Sequence, residues 1–157
     1  MRLEAKFMRL AIKEARRNIK NLYGGPFGAC IVKDGRLLAV ARNTVLKHDA
    51  TCHAEINAIR LASRRLKNFD LSGCVIYSTT EPCPMCFSAI HWARLDAVVY
   101  GTAIADAKKI GFNELSISAR KMKTTGKSNV KIFSGFRKKE CLRLLGDWKK
   151  TKGRRVY

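Results

Sequence analysis

Apolar positions along this chain change their period several times, and each change marks an element. In the first twenty residues Leu3, Phe7, Leu10, Ala11 and Ile19 recur at helical spacing, while Arg2, Lys6, Arg9, Lys13, Arg16 and Lys20 line another face. This predicts an amphipathic helix with a solvated basic side. Two short apolar runs follow, 29–32 and 37–41, on either side of Asp34-Gly35. That dipeptide suits the positive φ angles of a tight hairpin turn, so the runs read as paired strands. Gly24, Gly25 and Gly28 around Pro26 mark a close-packed loop just before them, without the spacing of a dinucleotide or phosphate-binding motif.

Residues 53–66 return to helical spacing, with Ile56, Ile59, Leu61 and Leu66 expected to face inward. The run 74–79 reads as a strand, 83–94 as a helix opening just after Pro82, 97–100 as a buried strand and 103–111 as a helix. A last strand is expected at 130–133. A last helix is expected at 137–150, with Cys141, Leu144, Leu145 and Trp148 on its apolar side. The stretch 116–128 is polar and weakly patterned, which suits a loop or short helices. Strands alternating with helices imply a sheet between helical layers, and the opening hairpin makes that sheet mixed. The expected fold is therefore α/β: a three-layer α/β/α sandwich on a mixed central sheet of about five strands. No linker, internal repeat or low-complexity segment interrupts residues 1–157, which read as one domain.

Composition narrows the class. A chain of 157 residues, 46% hydrophobic, is long enough to bury a core. Its longest apolar runs fall far short of a membrane span, and the charged N-terminal stretch has no apolar core of a signal peptide. The six cysteines are unevenly spaced: Cys83 and Cys86 form a pair, while Cys30, Cys52, Cys74 and Cys141 are scattered like small core residues. This points to a reducing, cytoplasmic setting rather than a disulfide scaffold. Thirty-two Lys and Arg against twelve Asp and Glu give a formal charge of +20. Such a field attracts polyanions, so nucleic acid stands open as a partner beside the plainer reading of a solvated basic surface.

Two short stretches carry candidate chemistry: Cys52-His53-Ala54-Glu55, and Glu81-Pro82-Cys83-Pro84-Met85-Cys86. A CxxC pair at a helix start places two sulfurs about one turn apart, close enough to hold one metal, and the helix N-terminus favours their thiolate forms. Two thiolates and the His53 imidazole give Zn2+ three ligands. A fourth position is then left for water, the open arrangement of a catalytic site, where zinc lowers the pKa of water toward neutrality. Glu55, two residues past His53, reaches the same cavity and suits a general acid–base. A redox dithiol is one alternative, and a structural zinc completed by Cys52 or Cys74 is another.

The spacing HxE followed by PCxxC is the signature of zinc deaminases. With Gly25-Pro26-Phe27-Gly28-Ala29, Ala89-Ile90-His91-Trp92-Ala93-Arg94, Ala107 to Phe112 and the terminal Tyr157, the chain resembles the cytidine-deaminase-like superfamily. Within it, the chain is most similar to the guanine and guanosine deaminases. The resemblance runs from about Gly24 to Glu114, with a weaker echo at the tail. It implies hydrolytic removal of an amino group from a guanine-type purine base or nucleoside. It further implies that Asn43 grips the base, Phe27 walls the pocket, the Ala54 N–H contacts the ring and Trp92 stands beside the site. Glu114 would share the proton transfers with Glu55, though it is longer than the acid usual in that branch. The last implication is a homodimer in which the segment 137–157 is exchanged and Tyr157 closes the partner's pocket. Adenosine deamination in tRNA, cytosine deamination and, least in keeping with the motifs, a non-catalytic zinc-stabilised RNA-binding module are the competing readings.

Overall fold

The computed structural model describes residues 2–157. Its elements run α1 (Ala5–Asn21), β1 (Gly28–Lys33), β2 (Arg36–Arg42), α2 (Ala54–Leu66), β3 (Cys74–Thr80), α3 (Pro84–Trp92), β4 (Ala97–Thr102), α4 (Ile104–Lys108), α5 (Ala119–Thr125), β5 (Lys131–Phe133) and α6 (Lys138–Lys149). The hairpin turn forms at Asp34 and Gly35, both at positive φ. The sheet has the order β2-β1-β3-β4-β5. β1 lies antiparallel to both β2 and β3, whereas β3, β4 and β5 are parallel. This is the five-stranded mixed sheet of the expected α/β fold.

Strand alternation divides the core into two faces. Ala29 and Ile31 of β1, Ile76 of β3 and Val98 of β4 face the layer that holds Ala58 and Ala62 of α2 and Ile90 of α3. Their neighbours Cys30, Val32, Tyr77 and Val99 face Phe7, Met8 and Ile12 of α1 and Cys141 and Leu144 of α6. Cys141, Leu144, Leu145 and Trp148 are all buried, and α6 rests on α1 and β4 of its own chain. Arg9 and Arg16 of the basic α1 face pair with Glu140 and Asp147 of α6, so part of that stripe joins two helices. In the polar stretch 116–128 the structure holds one short helix, α5, capped by the Ser118 hydroxyl.

The inward face of α2 differs from its large-aliphatic reading. Ala54, Glu55, Ala58 and Ala62 are the buried residues, while Leu61 and Leu66 are exposed and Ile56 and Ile59 only half-buried. Small residues let the helix axis approach β1 and β2 closely. The phase of the helix is the one that turns Glu55 inward. A tally of aliphatic residues misses this because the buried stripe contains three alanines and a carboxylate.

Candidate active site

Two helix N-termini meet beyond the ends of β3 and β4. His53 is the N-cap of α2 and Cys83 the N-cap of α3, with Pro84 at the first helical position. Neither side chain caps its own helix; both turn toward each other. Cys83 Sγ lies 3.7 Å and Cys86 Sγ 3.6 Å from His53 Nδ1. Among the described residues these three form the one group of ligating atoms within 4.8 Å of one another. A tetrahedral Zn2+ with ordinary Zn–S and Zn–N bonds sets sulfur and nitrogen about 3.6 Å apart, so the donor set fits zinc without rearrangement. Cys52 and Cys74 stand outside it. Cys52 Sγ donates to Asp49 Oδ2 at 3.4 Å, and Cys74 is buried in the core. Two sulfurs and one nitrogen therefore leave a fourth position open.

The two sulfurs differ without metal. The Cys86 thiol donates to Cys83, and with His53 adjacent this brings Cys83 down to about 4 despite its burial. Cys86 is pushed well up, by that same bond and by burial. One thiolate is thus already formed, and charge from a bound cation stabilises the second.

Glu55 is buried beside the triad, its Oε2 3.5 Å from Cys86 Sγ. Ser78 Oγ lies 2.9 Å from Glu55 Oε1 and 2.7 Å from Thr80 O. The Ser78 hydroxyl is the donor to both acceptors and so fixes the Glu55 carboxylate against β3. Burial raises the Glu55 pKa, with the His53 charge and the Ser78 hydrogen bond acting against it. Glu114 is half-buried, and burial together with the negative Cys83 pushes it up to about 7. Two carboxyls with raised pKa values flanking a thiolate–imidazole set form an acid–base arrangement suited to proton transfer near neutral pH.

Asn43 is buried at the end of the hairpin. Its Oδ1 accepts from Val45 N at 3.1 Å, which fixes the amide orientation, and from the Tyr157 hydroxyl at 2.7 Å. Its Nδ2 is buried without a partner. Such a donor costs free energy until an acceptor arrives, so it marks a ligand position. Tyr157 also accepts from Gly25 N at 3.0 Å. Its ring meets Phe112 edge-on at 5.3 Å, and Phe112 meets Phe27 at 4.8 Å. Trp148 lies buried in the same cluster. The Ala54 N–H opens α2, where a backbone donor has no partner within its helix.

Of the residues singled out from sequence, His53, Cys83 and Cys86 form one group, with Ala54 next to His53, Glu55 against Cys86 and Glu114 near enough to feel the Cys83 and His53 charges, while Phe27, Asn43 and Tyr157 are joined through Phe112 and the Tyr157 hydroxyl. Trp92 is elsewhere. It ends α3, about 13 Å along the helix from Cys83, is 77% exposed and rests edge-on against His91. The tryptophan beside the aromatic wall is Trp148, which helical spacing marked only as apolar. Ser78 carried no motif of its own; its signal is strand register, two residues after Ile76 and hence on the same face. Within the one chain described, the Tyr157 hydroxyl bonds Gly25 N and Asn43 Oδ1.

The profile of the cytidine and deoxycytidylate deaminase zinc-binding region matches residues 1–102, well over half the chain. The chain belongs to this family. Guanine deaminase of Bacillus subtilis is 44% identical over 109 residues, 69% of this chain and 70% of that protein. A tRNA-specific adenosine deaminase of Buchnera aphidicola is 34% identical over 129 residues, 81% of this chain and 82% of its own length. In three dimensions, guanine deaminase from Nitrosomonas europaea superimposes with a TM-score of 0.85 at 27% identity, covering 95% of this chain and 86% of that one. The chain is thus a deaminase of the hydrolytic, zinc-binding type.

Proposed function

We propose that this deaminase acts on a free guanine-type purine, base or nucleoside, replacing its exocyclic amine with oxygen and releasing ammonia. The observation that carries the reading is the unpaired, buried Asn43 amide N–H, on a side chain whose Oδ1 is held by the Tyr157 hydroxyl. It offers one donor to an acceptor on a ring placed against the Phe27–Phe112–Tyr157 cluster. Tyr157, whose hydroxyl is tied to both Asn43 and Gly25, suits a small ligand better than a chain that must enter and leave. The similarity to guanine deaminases supports the same substrate class.

His53, Cys83 and Cys86 would hold zinc, which when bound supplies Lewis-acid activation of water. The protein's own residues manage the rest. Glu55 takes a proton at its buried carboxylate and returns it to the purine ring nitrogen. Glu114, with a pKa raised to about 7, delivers a proton to the departing amine, which leaves as ammonia, and regains one from the hydroxyl left on the ring carbon as that becomes the carbonyl. Asn43 and the Ala54 N–H orient the ring, and the aromatic wall excludes bulk water. The Ser78 hydroxyl holds Glu55 in place.

One observation favours a second reading, adenosine deamination in tRNA. Lys149, Lys150, Lys152, Arg154 and Arg155 crowd the exposed tail that ends in the pocket. None of them takes part in an ion pair among the described residues. Ammonia release from guanine, guanosine, adenine, adenosine, cytosine, cytidine, their monophosphates and tRNA, with zinc-loaded protein, separates the two. Turnover of guanine or guanosine with none of tRNA supports the proposal; release from tRNA alone overturns it. The contacts of 137–157 can equally form between two subunits, and light scattering tests the exchanged homodimer.

A further inference from the structure

Glu81 opens the EPCPMC stretch yet has no part in holding metal or substrate. It is buried, and both of its carboxylate oxygens are committed. Oε2 accepts from Ile104 N at 3.1 Å and Oε1 from Ala119 N at 2.9 Å. Ile104 is the first residue of α4 and Ala119 the first of α5. One carboxylate therefore ties the starts of two helices, at positions where backbone N–H groups lack partners inside the helix and where negative charge is favoured. Its own N–H donates to Thr102 O at 2.8 Å, which anchors it to the end of β4.

The span between those two helix starts, 104–119, contains Phe112 and Glu114. Other ties on its exposed part are sparse: Asn113 N to Tyr157 O at 2.8 Å, and Lys108 Nζ to Ser116 Oγ at 2.6 Å. Leu115 and Ile117 point outward without packing. Two residues after Glu81 comes Cys83. A single side chain thus links the metal-ligand loop to both ends of the segment that carries the second acid.

The geometry points to Glu81 as a positioning residue that sets the Glu114 carboxylate against the His53–Cys83–Cys86 triad. This rests on the reading of Glu114 as proton donor. The pair of bonds is charge-assisted and buried, so it is stiff. Glutamine fits the same space but presents one oxygen and one N–H2. One of the two backbone N–H groups then faces a donor, and one end of the span is released. Glu114 would still be present but displaced, and a displacement of about 1 Å at a reacting group costs on the order of 100-fold in rate.

The test compares Glu81→Gln, Glu114→Gln and the double variant. Three readings are taken on each: zinc content, hydrogen exchange of peptides from 104–119 and from 54–66, and kcat and KM on guanine. Glu81→Gln is expected to keep full zinc and to speed exchange across 104–119 while leaving 54–66 unchanged. It should lower kcat by about 10- to 100-fold with KM nearly constant. In the Glu114→Gln background the same change should cost less than about threefold, because the two then act on one event. Unchanged exchange across 104–119, zinc loss, or kcat effects that multiply in the double variant would each overturn the inference. The role of Glu114 fails separately, if Glu114→Gln turns over at the wild-type rate. Should Glu81→Gln not fold, Glu81→Asp keeps the charge but reaches one helix start at a time, and the same comparison applies.

Discussion

Glu114 gives the site a stability signature that does not depend on knowing the substrate. In the folded chain its carboxyl rises from the ordinary 4.5 to about 7, first through burial and then through the negative Cys83. For an acid with a raised folded-state pKa the sign is unfavourable at high pH. Between the two pKa values the unfolded chain has released the proton and the folded chain has kept it, so stability falls as pH rises and levels off above about 7. Integrating the two titrations between about pH 5 and about pH 8, and discounting for the solvent that reaches a partly buried carboxyl, gives a loss of about 1–2 kcal/mol from this group alone. Glu114→Gln removes the titration while keeping the shape. In urea unfolding of chelator-treated protein, the variant should gain about 1–2 kcal/mol on the wild type over that pH interval. The same variant, loaded with zinc, should lose about 10²- to 10⁴-fold in kcat, the usual contribution of a general acid. A stability difference that stays flat with pH, within about 0.5 kcal/mol, would mean that Glu114 stands in solvent away from the triad. The proton-donor role would then fall with it.

Glu55→Gln should keep its zinc and lower kcat by about 10²- to 10⁴-fold; metal analysis beside the ammonia assay checks both, and activity near the wild-type level removes Glu55 from the chemistry. Gly24→Ala places a Cβ into Asn43 Oδ1 and the Asn43 backbone, which cannot yield, so KM should rise at least about tenfold and stability drop by about 1–3 kcal/mol. Its counterpart Gly146→Ala, within α6 and with nothing near the added methyl, should instead stabilise by about 0.5–1 kcal/mol in thermal unfolding. Tyr157→Phe leaves Gly25 N–H unpaired and frees Asn43 Oδ1 from one donor. KM for guanine should increase about tenfold, the effect of about 1.4 kcal/mol; an unchanged KM shows that the tail does not close the pocket.

Much of the scaffold was legible because burial in a sheet writes a short-range pattern. Ala29 and Ile31 against Cys30 and Val32 alternate in β1, and the DG turn fixed the hairpin register. The metal triad was legible for a different reason: ligand chemistry admits few residue types, at spacings set by a helix turn. What escaped depends on distant contacts. The buried face of α2 follows Glu55 and three alanines rather than its leucines. Trp92 and Trp148 look alike as residues, and only the packing of α6 against α4 and the tail puts Trp148 near the pocket. Glu81 reads as part of a motif, yet its partners lie 23 and 38 residues downstream, beyond any local period.

The site also explains where the fold tolerates disadvantage. His53 and Cys83 occupy N-cap positions and cap nothing, and a missing N-cap typically costs about 1 kcal/mol. Asn43 Nδ2 is buried unpaired, and the Glu55 and Glu114 carboxyls sit where burial opposes their charge. Each of these is locally destabilising, and each becomes favourable once a cation and an acceptor-bearing ring are present. The orphan N–H groups of α2 and α3 favour the negative ligand set, Asn43 gains its acceptor, and the cation lowers the cost of carboxylate charge. The uninterrupted strands β3 and β4 and the small-residue face of α2 hold the two helix starts together in the meantime. Side chains disposed in these ways are complementary to a metal and a polar aromatic ring. Ligand-linked stabilisation should therefore be large here: zinc and guanine together should raise the unfolding temperature by more than the sum of their separate effects.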